Sequence, residues 1–186
     1  IEHAISIGSF TRKDKSYFNK NVSYALAARV YQVMGNWDKA KDYANAAYGG
    51  NTSSSLSPSF YQAGFDDMNE GNEWILADPQ TSDQSNYYYL APHGFYTRTE
   101  SAYNNTFINK SFVALFSATD VRNQFAKTTA TDYRQWYTKK FKFAFDADLP
   151  LIRTTEMILI EAEAMYKLGD ALGAHNLLYL LQMNRD

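Results

Sequence analysis

The side chains best suited to hold a small ligand lie in one polar stretch, residues 81–103, which has no steady hydrophobic period. Tyrosine and tryptophan rings offer a flat apolar face for the C–H face of a sugar, and arginine donates hydrogen bonds to hydroxyl groups. We therefore expect ligand contacts from five residues of this stretch and one tryptophan outside it: Tyr87, Tyr88, Tyr89, Tyr96, Arg98 and Trp136. The alternative is that the tyrosines pack the loop onto neighbouring helices or meet a protein partner.

A run of carboxylates precedes this stretch and has two chemical interpretations. Asp66, Asp67, Glu70 and Glu73 stand within eight positions. Carboxylates held roughly 5–9 Å apart across a sugar can hydrolyse glycosides, and clustered carboxylates can bind calcium. The run lacks the D-x-D-x-D-G spacing of a calcium loop. We expect a solvated turn and no catalytic residue.

Metal and cofactor chemistry find little support in the residue types. The chain has no cysteine, and its three histidines, His3, His93 and His175, are far apart in the sequence. No H-E-x-x-H or histidine–carboxylate cluster occurs. The sequence therefore predicts neither a metal site nor a cofactor.

Charge and composition restrict the classes of partner. The 186 residues carry 18 basic and 20 acidic side chains, a formal charge of −2, which gives no electrostatic reason to expect nucleic acid. No apolar run approaches the roughly 18–20 residues needed to span a bilayer. The aromatic share is 16%, with 15 Tyr, 12 Phe and 3 Trp, which suits glycan or protein binding.

Two helical hairpins are expected to hold the ligand-contacting residues in place. Residues 17–48 show apolar positions at the i, i+3, i+4, i+7 spacing of amphipathic helices, with Gly35 at the turn. Residues 151–186 repeat the arrangement around Gly169. Residues 58–150 form a loop-rich middle lobe in which 74–77 is a short apolar helix end or strand and 138–145 is an extended strand. The sequence stops inside the last helix, so we expect a truncated chain and part of a single domain.

Polar residues of the second hairpin have expected structural roles. Arg153 and Glu156 stand at i, i+3 and predict an ion pair on one helix face. Glu163, in an Ala-Glu-Ala context, is expected to make a buried hydrogen bond to the neighbouring hairpin. Neither expectation involves catalysis.

The first hairpin also follows the small-residue pattern of tetratricopeptide repeats, which recur near 34 residues. Ala27 and Ala28 on its first helix face Ala40 and Ala44 on its second, and small residues allow two antiparallel helices to pack closely. The second hairpin matches more loosely. This pattern alone predicts an interaction scaffold.

Longer motifs resemble those of one family, the SusD/RagB proteins. Residues 24–48 read YALAARVYQVMGNWDKAKDYANAAY, similar to the family's Ala-rich helix followed by a Gly-(Asp/Asn)-aromatic-x-Lys-Ala turn. Residues 117–122 resemble its S-x-D-x-R stretch, and residues 148–164 resemble its P-x-x-R-x-x-E-x-x-L-x-x-A-E-A helix. The motifs occur in the family's order. The family's N-terminal lipidated cysteine and its usual ending after the last hairpin are not in this sequence.

The resemblance implies a mainly α, SusD-like fold of tetratricopeptide-like hairpins with a loop-rich middle lobe. It also implies a non-catalytic, surface-exposed lipoprotein of the bacterial outer membrane. Such a protein binds an oligosaccharide or other nutrient and delivers it to a SusC/RagA-like TonB-dependent transporter. Membrane association would come only through the lipid anchor that these residues lack. The alternative is a tetratricopeptide-like scaffold for protein partners that binds no glycan.

Overall fold

A computed structural model describes residues 1–52, 57–63, 65, 67–69, 73–83, 107–141 and 146–186. Helices dominate the described residues, as the sequence predicts. The helices are α1 (Glu2–Ile7), α2 (Lys20–Val33), α3 (Trp37–Tyr48), α4 (Pro58–Ala63), α5 (Lys110–Val113), α6 (Thr154–Lys167) and α7 (Ala171–Met183), with a 3₁₀ turn at Tyr133–Gln135. The strands are β1 (Trp74–Asp78), β2 (Phe125–Lys127), β3 (Trp136–Thr138) and β4 (Leu149–Arg153). The expected mainly α fold with helical hairpins is confirmed.

The first hairpin, α2 and α3, is defined by caps and a glycine turn. The Asn19 side chain accepts a hydrogen bond from the Val22 N–H at the start of α2, and the Asn36 side chain accepts one from the Lys39 N–H at the start of α3. Gly35 adopts φ 71° in the turn, a left-handed conformation that side chains with a Cβ disfavour. The predicted turn glycine therefore has the predicted role.

Small side chains line the contact between α2 and α3. Ala25 and Ala28 on α2, and Ala40 and Ala44 on α3, are all 0% exposed and belong to one hydrophobic cluster. Methyl groups leave no room for water and let the backbones approach closely. The small-residue pattern of the sequence thus identifies the centre of this hairpin.

The second hairpin, α6 and α7, packs on the first through α6. Met157, Ile160 and Ala164 of α6 lie in the same hydrophobic cluster as the α2 and α3 alanines. On α7 only Ala174 is buried, whereas Leu172, Tyr179 and Met183, which share the opposite side of the helix, are more than half exposed. One face of α7 is therefore apolar and uncovered by the described residues.

The buried carboxylate between the hairpins is Glu161; Glu163 does bind the neighbouring hairpin, but the expectation that its hydrogen bond is buried was wrong. Glu161 is 8% exposed and accepts hydrogen bonds from the Tyr48 hydroxyl at 2.6 Å and the Asn45 amide at 3.0 Å. Glu163 is exposed and accepts a hydrogen bond from Gln32. The reason is helical geometry, since Glu161 shares a face with the core residues Met157 and Ala164.

A two-stranded antiparallel sheet connects the middle lobe to the second hairpin. β1 pairs with β4, with Trp74 opposite Arg153 and Ala77 opposite Pro150. Four of the five β1 residues are buried, and Trp74 is 3% exposed. The apolar run at 74–77 is therefore a strand, one of its two expected forms.

The predicted ion pair between Arg153 and Glu156 does not form. Arg153 has extended backbone angles (φ −124°, ψ 152°) at the end of β4 and so does not lie on the helix face. Its guanidinium lies 3.6 Å from the Glu73 carboxylate. Glu156 instead binds Arg29 of α2, with 2.5 Å between Nε and Oε1.

A second antiparallel ribbon, β2 and β3, lies in the middle lobe. Phe125 pairs with Thr138, and Lys127 pairs with Trp136. The strand expected over 138–145 is placed too late in the chain, because β3 ends at Thr138. Residues 142–145 of that expectation lie outside the described residues. Within the described ranges, no helix is long and apolar enough to cross a membrane.

Candidate ligand-binding site

Most of the residues predicted to contact a ligand cannot be placed on the structure. Tyr87, Tyr88, Tyr89, Tyr96 and Arg98 lie outside the described residues. Trp136 is described, at the first position of β3. Ligand contact by the tyrosine-rich stretch remains a prediction. The described part of the candidate site lies around Trp136.

Trp136 lies on a ribbon face that also carries aromatic and basic side chains. Its ring is half-buried, and the Lys127 ammonium lies 5.9 Å from the ring centroid. Side chains directly opposite each other on paired strands share a face, as do residues two apart on one strand. Trp136 and Lys127 therefore share their face with the second pair, Thr138 and Phe125.

This face borders an aromatic pocket of about 360 Å³. The pocket is formed where α4, α5, the ribbon and the segment after β3 meet. Its walls are mainly apolar and include the polar or charged side chains of Arg122, Thr138 and Lys140. The lining residues are Tyr61, Ile108, Phe112, Phe116, Arg122, Phe125, Thr138, Lys140 and Phe141. Such a volume lies at the lower end of the range for small-ligand sites, which is roughly 300–1,000 Å³.

Edge-to-face ring packing shapes one wall of the pocket. The ring centroids of Phe112 and Phe116 are 5.1 Å apart, and that of Phe125 lies 5.2 Å from that of Phe116. Phe112 is 49% exposed, so part of this wall faces outward. The Ile108 N–H donates a hydrogen bond to the Trp136 carbonyl at 2.8 Å and fixes the segment before α5 to the ribbon. The wall can therefore present aromatic faces to a ligand from a fixed backbone.

Arg122, one of the two cations in the pocket wall, is already neutralised. Its Nη2 lies 2.6 Å from Asp120, whose carboxylate is 3% exposed and also accepts the Arg122 backbone N–H. Burial alone would raise the pKa of Asp120, but the hydrogen bonds from Arg122 hold it below its usual value. These two residues belong to the S-x-D-x-R motif, whose role here is to fold its own loop.

The same loop is also attached to the residues that follow α7 in the sequence. The Val121 N–H donates to the Arg185 carbonyl at 2.7 Å, and the Thr119 hydroxyl donates to Asp186 at 2.6 Å. The pocket wall is thus fixed to the second hairpin as well as to the ribbon.

Lys140 is the second cation of the wall, and its surroundings are aromatic. Its ammonium lies 4.5 Å from the ring centroid of Phe65, 5.4 Å from that of Phe141 and 5.7 Å from that of Tyr61. Among the described residues, no carboxylate lies within ion-pair distance of this ammonium. Burial, followed by repulsion from Arg153, lowers the pKa of Lys140 to about 8. Attraction to the Glu73 carboxylate opposes this shift, and repulsion from Arg185 adds to it.

Behind Tyr61 lies a buried polar cluster centred on Glu73. The Glu73 carboxylate is 4% exposed and accepts hydrogen bonds from Arg185, which is 2% exposed, and from the Thr155 hydroxyl at 2.7 Å. The Arg185 guanidinium lies 4.4 Å from the Tyr61 ring centroid. The expectation of a solvated turn is therefore wrong for Glu73, since its burial and pairing make it structural.

Asp67 is the other carboxylate of the acidic run that the structure describes. Asp66 and Glu70 lie outside the described residues, and the Asp67 carboxylate accepts hydrogen bonds from Asn69 in a local turn. In the part of the chain that the structure describes, no group of three histidine or acidic side chains can hold a metal ion.

Sequence reasoning missed the aromatic pocket, although some of its signals were present. Phe112 and Phe116 stand four apart, a spacing that places two side chains on one face of a helix. The contributions of Tyr61, Phe125 and Lys140 come from three separated segments, and no spacing rule joins them. Only the tertiary arrangement shows that they face one space.

Comparisons with known proteins place the chain among SusD-like structures. No family model and no curated protein matches it. A SusD-like carbohydrate binding protein from Bacteroides vulgatus is 26% identical with a TM-score of 0.79, and a SusD superfamily protein from Bacteroides thetaiotaomicron is 20% identical with a TM-score of 0.81. Each match covers 99% of this chain, but only 41% and 45% of the two solved chains. The resemblance and the fold expected from the sequence are confirmed.

Proposed function

We propose, from the premise that this chain is a SusD-like protein, that it contributes to non-catalytic binding of an oligosaccharide or other nutrient. The complete protein would act as a surface-exposed lipoprotein of the bacterial outer membrane. It would deliver the bound nutrient to a SusC/RagA-like TonB-dependent transporter. The chain spans 41% and 45% of the lengths of the two SusD-like structures named above, so the roles of a whole SusD-like protein are proposals for it.

One observation carries this proposal. The structure that is 26% identical over 99% of the chain is described as a carbohydrate binding protein. The longer sequence motifs also occur in the family's order, so the likeness to this structure extends beyond general helix packing.

The side-chain chemistry of the middle lobe supports the same function. The ribbon face and the aromatic pocket offer Trp136 and several phenylalanine rings, and the pocket wall is fixed by hydrogen bonds to the segment after the second hairpin. Sugars bind to aromatic faces by stacking, and loops on rigid scaffolds often carry the specific contacts. The tyrosine-rich stretch with Tyr87, Tyr88 and Tyr96 is proposed to add further stacking surfaces.

The absence of catalysis is part of the proposal. Glu73 and Glu161 are buried carboxylates, and each is occupied by hydrogen bonds from its neighbours. A glycoside hydrolase needs one carboxylate to donate a proton and a second to act on the sugar or on water. Carboxylates held in structural hydrogen bonds are poorly suited to either task.

Calorimetric titration of oligosaccharides into the full-length protein tests the proposal. The variant Tyr87→Ala/Tyr88→Ala/Tyr96→Ala should weaken binding at least about tenfold, because each lost ring contact contributes roughly 0.5–1.5 kcal/mol. Tyr166→Ala is the control, since Tyr166 lies on α6 and is 64% exposed. Unchanged affinity in the triple variant would show that the tyrosine assignment is wrong, and a complete lack of glycan binding would remove the proposed function.

The second candidate is a tetratricopeptide-like scaffold that binds a protein and no glycan. The exposed apolar face of α7, with Leu172 at 72% and Met183 at 59% exposure, favours it. Large exposed apolar patches often mark interaction surfaces. Leu172→Lys/Met183→Lys should then abolish binding of a protein partner without any change in glycan affinity.

A further inference from the structure

We propose that the aromatic pocket binds an acidic sugar, a uronic acid residue, with its carboxylate paired to the Lys140 ammonium. The inference rests on the proposed function and narrows it, because it names the class of ligand and the residue that selects it. The residues on which it rests are different from those of the tyrosine-rich stretch.

The charge distribution around the pocket leaves one cation for a ligand. Arg122 is paired with Asp120, and Arg185 is paired with Glu73. The Lys140 ammonium has three rings within 6 Å and, among the described residues, no carboxylate within ion-pair distance. A half-buried ammonium is costly without an anion, and a bound carboxylate would relieve that cost.

The position of Lys140 relative to the pocket makes such pairing feasible. Two of the rings around its ammonium, Tyr61 and Phe141, themselves line the pocket. The charge therefore lies at the pocket wall, where an entering ligand reaches it. A carboxylate beside this ammonium would make a charge-assisted hydrogen bond in a site with little competing water.

The remaining walls fit the other half of an acidic sugar. Phe112, Phe116 and Phe125 offer apolar ring surface for the C–H groups of a pyranose. The Thr138 hydroxyl is already engaged, since it donates a hydrogen bond to the Gln124 carbonyl and accepts one from the Lys140 N–H. Apolar walls with a cation that has no carboxylate partner among the described residues favour a ligand that has an apolar face and a single negative charge. A neutral sugar would use the rings alone.

Paired probes that differ only in the carboxylate test the inference on the full-length protein. Methyl β-D-glucuronide is compared with methyl β-D-glucoside, and methyl α-D-galacturonide with methyl α-D-galactoside, by NMR titration. At least one acidic probe should bind about tenfold more tightly than its neutral counterpart, the factor expected for a charged hydrogen bond.

Variants at Lys140 identify the source of that preference. Lys140→Met should remove the preference, whereas Lys140→Arg should retain most of it because the charge remains. Lys139→Met is the matched control, since Lys139 is the exposed neighbour. Thermal melting checks that each variant is folded, and Lys140→Gln replaces Lys140→Met if the latter unfolds.

The possible outcomes distinguish a failure of this inference from a failure of the proposed function on which it rests. Equal binding of acidic and neutral probes, or a preference that survives Lys140→Met, overturns the inference. If the probes fail to bind while a neutral oligosaccharide binds, the inference is also overturned and the proposed function stands. If no glycan binds, both fall.

Discussion

The two helical hairpins and the middle lobe are stabilised in different ways. In the first hairpin, alanines at 0% exposure let α2 and α3 approach each other closely. One buried carboxylate, Glu161 of the second hairpin, connects the two hairpins. In the lobe, short strands and loops are held by ring contacts and by arginine–carboxylate pairs such as Arg122 with Asp120. This difference is the reason why we propose the ligand contacts in the lobe, where aromatic and charged side chains line one pocket.

The largest expected effect lies at the junction between these regions. Glu73→Ala should lower the free energy of unfolding by about 3–5 kcal/mol, because it removes the carboxylate beside a guanidinium that is 2% exposed. Urea denaturation measures the change. Glu163→Ala, an exposed site on α6, should cost less than about 0.5 kcal/mol. Equal effects of the two variants would show that the junction contributes no special stability.

Overpacking in the first hairpin is expected to have the next largest effect. Ala28→Leu should destabilise the protein by about 1–3 kcal/mol, because a larger side chain at a fully buried position forces the helices apart. The same change at the exposed Ala171 of α7 is the control. If thermal melting gives both variants the same stability, close approach of α2 and α3 is not required.

The smallest expected effect concerns the polar contact between the hairpins. Tyr48→Phe should cost about 1–2 kcal/mol, because Glu161 loses a hydrogen bond in a buried site. Tyr166→Phe removes a hydroxyl from a residue that is 64% exposed and should change stability little. Chemical denaturation compares the two. A silent Tyr48→Phe would show that this hydrogen bond contributes little to the stability of the contact between the hairpins.

The tyrosine pKa offers a further view of the same contact. Burial raises the pKa of Tyr48, and the hydrogen bond to Glu161 raises it further. The hydroxyl therefore stays protonated as a donor throughout the neutral range. A contact of this kind cannot be read from the sequence, because Tyr48 and Glu161 are 113 positions apart.

Sequence reasoning worked best where the physics is local. Hydrophobic spacing, Gly35 and the alanines predicted both hairpins, since helix periodicity and turn conformation depend on neighbouring residues. It was wrong where a partner comes from a distant segment. Arg153 binds Glu73 instead of Glu156, and Glu161 replaces Glu163 as the buried carboxylate. The predicted tyrosine contacts remain a prediction.

By itself, the sequence determined the helices, their turns, the low net charge and the family resemblance, because these follow from residue type and spacing. Only the tertiary structure decided which polar groups are buried and which face a pocket. Lys140 shows the reason most clearly. Nothing in its neighbours distinguishes it from Lys139, but Tyr61 and Phe65, brought from far along the chain, enclose its ammonium. Burial and charge compensation arise from contacts between distant segments, so they exist only in the folded chain.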